Sequence, residues 1–322
     1  MIELFARSPK MREAVSLAER VSATDANVLI TGESGAGKDL LAAFIHSKSK
    51  RAAQPFVKID CATLPPDLLE AELFGYERGA FTGAVEARAG RFEAAQNGTI
   101  VLDEIAHLPT DAQAKLLRVI ERREFERLGG RKTIKLDARL LALTNVDLDA
   151  AVKVGRFRED LFYRLNVINI RVPPLRERKQ DLAALIQHFV KQYAAKHARK
   201  VDRISQPALV LLKAYDYPGN ARELANVIER AVIVATDKTI GENDLPSGLS
   251  AAVAAQRQKE KPPSLAEMEA TYIAKVLAAT RGNKTECARI LGISRKNLYE
   301  KIARYELPSH PRITQIISKK SV

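Results

Sequence analysis

The chain has 322 residues, of which 46% are hydrophobic and 28% charged, and its net charge is +13. That composition supplies one large core and one or two small ones, which excludes an intrinsically disordered chain. The two cysteines, Cys61 and Cys287, lie far apart, which excludes a disulfide scaffold and a cysteine-only zinc site and fits a reducing cytosol. The N-terminal segment MIELFARSPKMREAV is charged throughout, unlike a signal peptide, and no uncharged run reaches the roughly 18 residues of a spanning helix. A soluble, cytoplasmic protein with no membrane partner is expected.

Through the first 170 residues, short apolar runs alternate with helical patterns. Asn27–Thr31, Phe56–Asp60, Thr99–Leu102, Leu140–Thr144 and Val167–Val172 read as strands, nearly continuous in Val, Ile and Leu. Such runs predict parallel strands buried on both faces, and the helices between them, such as Asp39–Ser47 and Asp111–Arg122, predict an α/β layered fold. This layer is assigned to residues 1–172. From 173 to 245 the periodicity is helical only, broken at Tyr217-Pro218-Gly219-Asn220, which predicts a helical subdomain. Residues 246–263, rich in Ala, Pro, Ser and Gln, read as a linker. A small all-helical domain is expected over 264–307, with a frayed tail over 308–322.

The segment Gly32-Glu33-Ser34-Gly35-Ala36-Gly37-Lys38 follows a strand and opens a helix. It is the G-x-x-x-x-G-K phosphate loop in its strand–loop–helix setting. Its backbone N–H groups can wrap phosphates, Lys38 places a cation on the β/γ oxygens, and the helix N-terminus adds partial positive charge. Asp39 stands where Ser or Thr commonly holds magnesium, so Mg2+ must lean on another carboxylate. The run Thr99–Leu102 ends in Asp103-Glu104. Asp103 at the strand tip suits the metal, and Glu104 suits the base that polarises an attacking water. A polar strand end facing solvent is the plainer reading, and the phosphate loop upstream makes it the weaker one.

Gly79-Ala80-Phe81-Thr82-Gly83-Ala84, GAFTGA, resembles the signature of the bacterial enhancer-binding proteins, the AAA+ activators of sigma-54 RNA polymerase. The resemblance runs from about Ser8 to Leu307 through GESGAGKD, GTIVLDEI, LTN at Leu143–Asn145, FREDLFYRL, VPPLRER and YPGNARELANVIERAV. It implies an AAA+ P-loop NTPase with a parallel sheet and a helical lid, taking ATP and Mg2+ in an oligomeric ring. Lys38, Asp103 and Glu104 then resemble the Walker residues, Asn145 the first sensor and Arg222 the second. Arg158 and Arg164 resemble arginine fingers that reach a neighbouring subunit. Six residues apart on a helix, they would lie on different faces. In the family the GAFTGA loop contacts the sigma factor. Without the resemblance, a turn tucking Phe81 into the core is equally open, and a second loop is expected around Phe125–Lys132. Asp60 replaces a usual Asn, and a carboxylate there is expected to repel Glu104. No receiver or ligand-sensing domain precedes Ser8. Control would fall to a partner in trans or to a segment outside this chain.

After residue 250, 14 Lys/Arg stand against 6 Asp/Glu, so 72 residues hold +8 of the net charge. A polyanionic partner, double-stranded DNA, fits that surplus better than a merely solvated face. Lys284–Leu291, Gly292-Ile293-Ser294 and Arg295–Tyr305 form a helix-turn-helix pattern, with Leu291, Ile293, Leu298 and Ile302 inward. Arg295, Lys296, Asn297, Tyr299 and Lys301 are expected to face outward and to meet the major groove. The unit resembles the Fis-type domain of the same activators. The resulting expectation is an enhancer-bound ATPase that remodels sigma-54 RNA polymerase. Its rivals are a DNA-binding regulator that uses ATP only for assembly and a general AAA+ remodeller.

Overall fold

Alternation of side chains along five short strands builds the first layer. In chain order, α1 (Pro9–Ser22) leads to β1 (Val28–Thr31), α2 (Lys38–Ser47) and β2 (Phe56–Asp60). Next come α3 (Pro66–Phe74), a small ladder of β3 (Gly75–Tyr76) with β4 (Arg88–Ala89), and α4 (Arg91–Ala94). Then follow β5 (Thr99–Asp103), α5 (Thr110–Arg122), a hairpin of β6 (Glu124–Glu126) with β7 (Thr133–Lys135), and β8 (Arg139–Thr144). The helices α6 (Leu148–Lys153) and α7 (Glu159–Leu165) and the strand β9 (Ile168–Arg171) complete the layer. The computed structural model describes residues 4–260, 264–280, 282–305 and 307.

The sheet runs β2-β5-β8-β1-β9, parallel throughout. Leu29, Ile100, Leu102, Leu140 and Ala142 point to one face and pack under α3, α5 and α7. Val28, Ile30, Val101, Leu141 and Leu143 point to the other, against α1 and α2. This period of two places every central strand in two cores at once. The edge strands depart from the expectation of burial on both faces: Phe56 in β2 and Asn169 and Arg171 in β9 are exposed. An edge has only one neighbour to cover it, so a continuous apolar run overstates its burial. Among the described residues no helix is long and apolar enough to cross a membrane.

The lid consists of α8 (Lys179–Lys196), α9 (Gln206–Ala214), α10 (Asn220–Val234) and α11 (Ser247–Glu260), with β10 (Arg203–Ile204) paired to β11 (Thr239–Ile240). That short parallel ladder is absent from the helical periodicity, because two residues per strand leave no pattern. The segment expected as a linker is instead helical over 247–260, and Leu249 joins the lid core. Ala and Gln are strong helix formers, and a buried pair one turn apart, Leu249 and Val253, replaces the apolar stripe that marks a longer amphipathic helix.

Several buried groups fasten the lid to the α/β layer. Asn220 carries φ +54 and is fully buried. Its Oδ1 accepts from Leu175 N at 2.7 Å, and its Nδ2 donates to Ser34 O at 3.0 Å and Glu33 Oε2 at 3.1 Å. Arg178 donates to Ala36 O at 2.6 Å. The buried Asp181 carboxylate accepts from Ser8 N and Ser8 Oγ, both at 2.9 Å. Arg176 forks onto Glu33 at 2.6 and 2.8 Å, and with Asn220 it holds the Glu33 carboxyl down at about 2.

The second unit, Ala254–Val322, contains α12 (Leu265–Ala279), α13 (Lys284–Leu291) and α14 (Arg295–Arg304) around Ile273, Val276, Leu277, Cys287, Ala288, Leu298 and Ile302. Asn283 and Ser294 cap α13 and α14 through their side chains. The expected tail over 308–322, and residues 261–263 of the expected linker, lie outside the described residues.

Two outcomes follow. Leu249→Ala lowers stability by about 2–4 kcal/mol in chemical denaturation, whereas Ser250→Ala on the exposed side changes it by less than about 0.5 kcal/mol. Glu33 has a folded pKa below its unfolded one, so its stabilisation is full above about 4.5 and is lost as pH falls toward about 2. Thermal midpoints measured over that window fall less steeply for Glu33→Gln than for wild type. Partial solvent exposure keeps the difference modest.

Candidate functional site

Thr31 ends β1, and the next seven residues turn back to start α2 at Lys38. Gly37 is left-handed (φ +104), and no side chain caps the α2 N-terminus, so the first N–H groups of the helix point toward the loop. Gly35 tolerates no side chain: a Cβ there would stand 2.4 Å from Gly219 O and 2.9 Å from Arg222 Cβ. The lid therefore closes directly on the loop, and Gly35 O accepts from Ala221 N at 3.1 Å. Arg222 donates to Ser34 Oγ at 2.9 Å, which joins this lid arginine to the phosphate loop. Lys38 is buried, with Nζ donating to Gly32 O at 2.9 Å and lying 3.7 Å from Glu104 Oε1.

The β5 tip supplies Asp103 and Glu104. Glu104 is left-handed (φ 51, ψ 49), a conformation costing a non-glycine residue on the order of 1–3 kcal/mol. Its Oε2 accepts from the Asn145 backbone N at 3.1 Å, just past the end of β8, so the Glu104 carboxylate meets the Asn145 main chain at neighbouring strand ends. Asp103 Oδ1 accepts from Glu104 N at 3.0 Å, and Oδ2 lies 2.7 Å from Lys58 Nζ. Lys58 also bonds Asp39, so one ammonium joins Asp39 to Asp103. Burial lowers the Lys58 pKa, but the two carboxylates outweigh it and leave the group raised. A cleft of about 540 Å³ opens at the carboxyl ends of β1, β8 and β9, lined by Thr31, Gly32, Glu33, Asn145 and Arg171 among others.

Asp60 pairs in register with Asp103 and its carboxylate accepts from Ala62 N at 2.8 Å, while the Glu104 carboxylate contacts Lys38 and the Asn145 backbone. A local Asx turn is a ready partner for a strand-end Asp. Arg158 and Arg164 are expected on one helix, but only Arg164 lies within α7. Arg158 precedes α7 as its cap and pairs with Asp160 at 2.8 Å, while Arg164 in the last turn pairs with Glu121 at 3.1 Å. Lys58, Arg176, Arg178 and Asn220 join the site with no role legible in the sequence. VPPLRER and the Pro-Gly-Asn turn were its only signals for the last three.

The loop bearing Gly79–Ala84 leaves β3 and returns to β4. It bonds to itself, Gly79 N to Ala84 O at 2.8 Å and Ala84 N to Phe81 O at 3.0 Å. Phe81 is 41% exposed with its ring edge-on to Tyr76 at 5.0 Å, so it is neither tucked into the core nor free of support. Thr82 and Gly83 are exposed, whereas Ala84 is buried. The expected second loop is the β6–β7 hairpin. Leu128 brackets the base of the first loop, donating to Gly75 O at 2.9 Å and accepting from Glu77 N at 3.0 Å, and Gly129 packs against Ala80.

In the second unit, Arg295, Lys296, Asn297 and Tyr299 are exposed on α14, with Lys284 Nζ over the Tyr299 ring at 4.8 Å. Lys301 differs from the expectation: it is bound to Glu269 of α12 at 2.6 Å and half-buried. It lies one helical turn beyond Asn297 and faces its own domain's first helix.

Three family models tile the chain. The sigma-54 interaction domain matches residues 4–171, the AAA+ ATPase lid domain 176–262, and the Fis family of bacterial regulatory proteins 264–305. Regulatory protein AtoC of Escherichia coli (strain K12) is 46% identical over 310 residues, covering 94% of this chain and 67% of that one. Transcriptional regulatory protein FlbD of Caulobacter vibrioides is 44% identical over 318 residues, covering 94% and 70%. The crystal structure of NtrX from Brucella abortus in complex with ATP superimposes with a TM-score of 0.70 at 35% identity, covering 95% of this chain and 69% of that one. With the phosphate loop, the strand-tip carboxylates and the GAFTGA loop in one α/β layer, the chain belongs to the sigma-54-dependent transcriptional activators, AAA+ proteins carrying a Fis-type helix-turn-helix.

Proposed function

We propose that this chain hydrolyses ATP in a homo-oligomeric ring and uses the cycle to drive the Phe81–Thr82 loop against sigma-54, opening promoter complexes from an enhancer-bound position. The observation that carries the reading is the Glu104 carboxylate at the β5 tip, which meets the Asn145 backbone N–H just past β8 and lies near Lys38 at the start of α2 beside the phosphate loop. Lys38 and the α2 N-terminus hold the β/γ phosphates. Glu104 takes the proton of the attacking water, and Asn145 orients it or the γ-phosphate. Arg222 relays the occupancy of the loop to the lid. Asp39 and Asp103 suit a hard divalent cation, since both already place an oxygen on the single Lys58 ammonium. Bound there, Mg2+ would neutralise phosphate charge that builds up in the transition state.

Arg158 and Arg164 are spent on exposed ion pairs in their own chain, which cost little to break when a neighbour's nucleotide is offered. An arginine supplied in trans makes turnover depend on assembly. The exposed basic end of α14 reads enhancer DNA, a role that supports a cytoplasmic protein.

Hydrolysis is expected to rise more than linearly with protein concentration and to require Mg2+. Glu104→Gln lowers turnover by at least about 100-fold while nucleotide binding persists. Thr82→Ala keeps turnover but loses the complex with sigma-54 formed in a transition-state analogue. An assembled wild-type ring that hydrolyses nothing on DNA would instead support the regulator that uses ATP for assembly alone. On DNA, Arg295→Ala costs about 1–3 kcal/mol in binding titrations and flattens the salt dependence. Lys301→Ala lowers the melting temperature of the protein and leaves the salt slope unchanged.

A further inference from the structure

Lys58 is the third residue of β2, in register with Val101 of β5. Its side chain, 38% exposed, reaches forward to the strand tips, where Nζ bonds Asp103 Oδ2 at 2.7 Å and also Asp39 at the start of α2. Three separate elements thus converge on one positive charge. Two carboxylates brought together beside a phosphate loop repel one another and any polyphosphate, and the ammonium cancels that repulsion. It also bonds the same oxygens that a divalent cation would take.

We infer that Lys58 is a tethered counter-ion of the Asp39–Asp103 pair, one that holds the pair together without metal and competes with Mg2+ for it. The inference rests on the reading above that this site takes a magnesium nucleotide. An ammonium on a four-carbon stem suits the task, because its point charge can swing to solvent while the strand stays fixed. Lys58 therefore sets how much Mg2+ the site needs and how well it binds nucleotide without metal. It is a positioning residue and touches no reacting atom.

The test is binding of a fluorescent ADP analogue to the full chain, first in EDTA and then across a MgCl2 titration. Bound Mn2+ is counted by electron paramagnetic resonance in parallel. For Lys58→Met the Mg2+ midpoint falls about five- to tenfold and binding in EDTA weakens about threefold or more, sizes set by two partly exposed charge pairs. Lys58→Arg, which keeps the charge, leaves binding in EDTA within about twofold of wild type. Lys58→Gln repeats the Met result if the apolar head disturbs folding. An unchanged or raised Mg2+ midpoint in both neutral variants overturns the inference. A wild type that binds the analogue with no response to Mg2+ overturns the metal reading first, and this one with it.

Discussion

A buried amide has to satisfy both its ends, and Asn220 does so by tying together segments that the chain keeps 45 and 187 residues apart. Its left-handed backbone lets the Pro-Gly-Asn turn start a helix while the side chain faces backward into the phosphate loop. Replacing it by an apolar residue would leave Leu175 N and Ser34 O without their partners, each costing about 1–3 kcal/mol. The close approach at Gly35 follows from this tie, and so does the position of Arg222 over Ser34. The lid is thereby registered on the loop before any phosphate arrives, which lowers the ordering cost of binding.

The strand tips show a second economy, in which the carboxylates of Glu104, Asp39 and Asp103 each face an ammonium. Lys38 stands near Glu104, and Lys58 joins Asp39 and Asp103. Glu104 keeps an unfavourable backbone conformation because Asn145 N–H and the fully buried Ile105 fix it from two sides. Strain of this kind persists where the surroundings over-determine a position, and it clusters where chemistry is done.

The strands, the phosphate loop and the helix-turn-helix were legible because each has a local signature: an apolar run, a glycine spacing, a short turn before a helix with a basic outer face. Side-chain partners were not. Lys58 looked like any exposed strand residue, since its acceptors come from α2 and β5. Lys301 looked like a groove contact until Glu269 of another helix claimed it. The partner of Asp60, an N–H two residues ahead, was equally hidden. The 247–260 helix escaped because a polar Ala-rich stretch carries helix propensity without periodicity. Sequence pattern reports burial and spacing, whereas the identity of a charged partner depends on how distant elements meet.

The placement of the exposed loop relative to the nucleotide site follows from the same sheet. Cys61 N donates to Asp103 O at 2.9 Å, so the chain leaving β2 is bonded to the residue that the metal would pull on. Four residues after Cys61, Pro65 caps α3, and α3 delivers the chain to Gly75 and the loop. Arg127 pins the other side, pairing with Glu93 at 2.7 Å and Glu77 at 3.2 Å, so the β6–β7 hairpin and the loop base share charged partners. A shift at the β5 tip has a short, contiguous route through α3. The hairpin limits which motions of the base are cheap. Phe81, its ring edge-on to Tyr76 and its carbonyl bonded to Ala84 N, stands exposed at the end of that route.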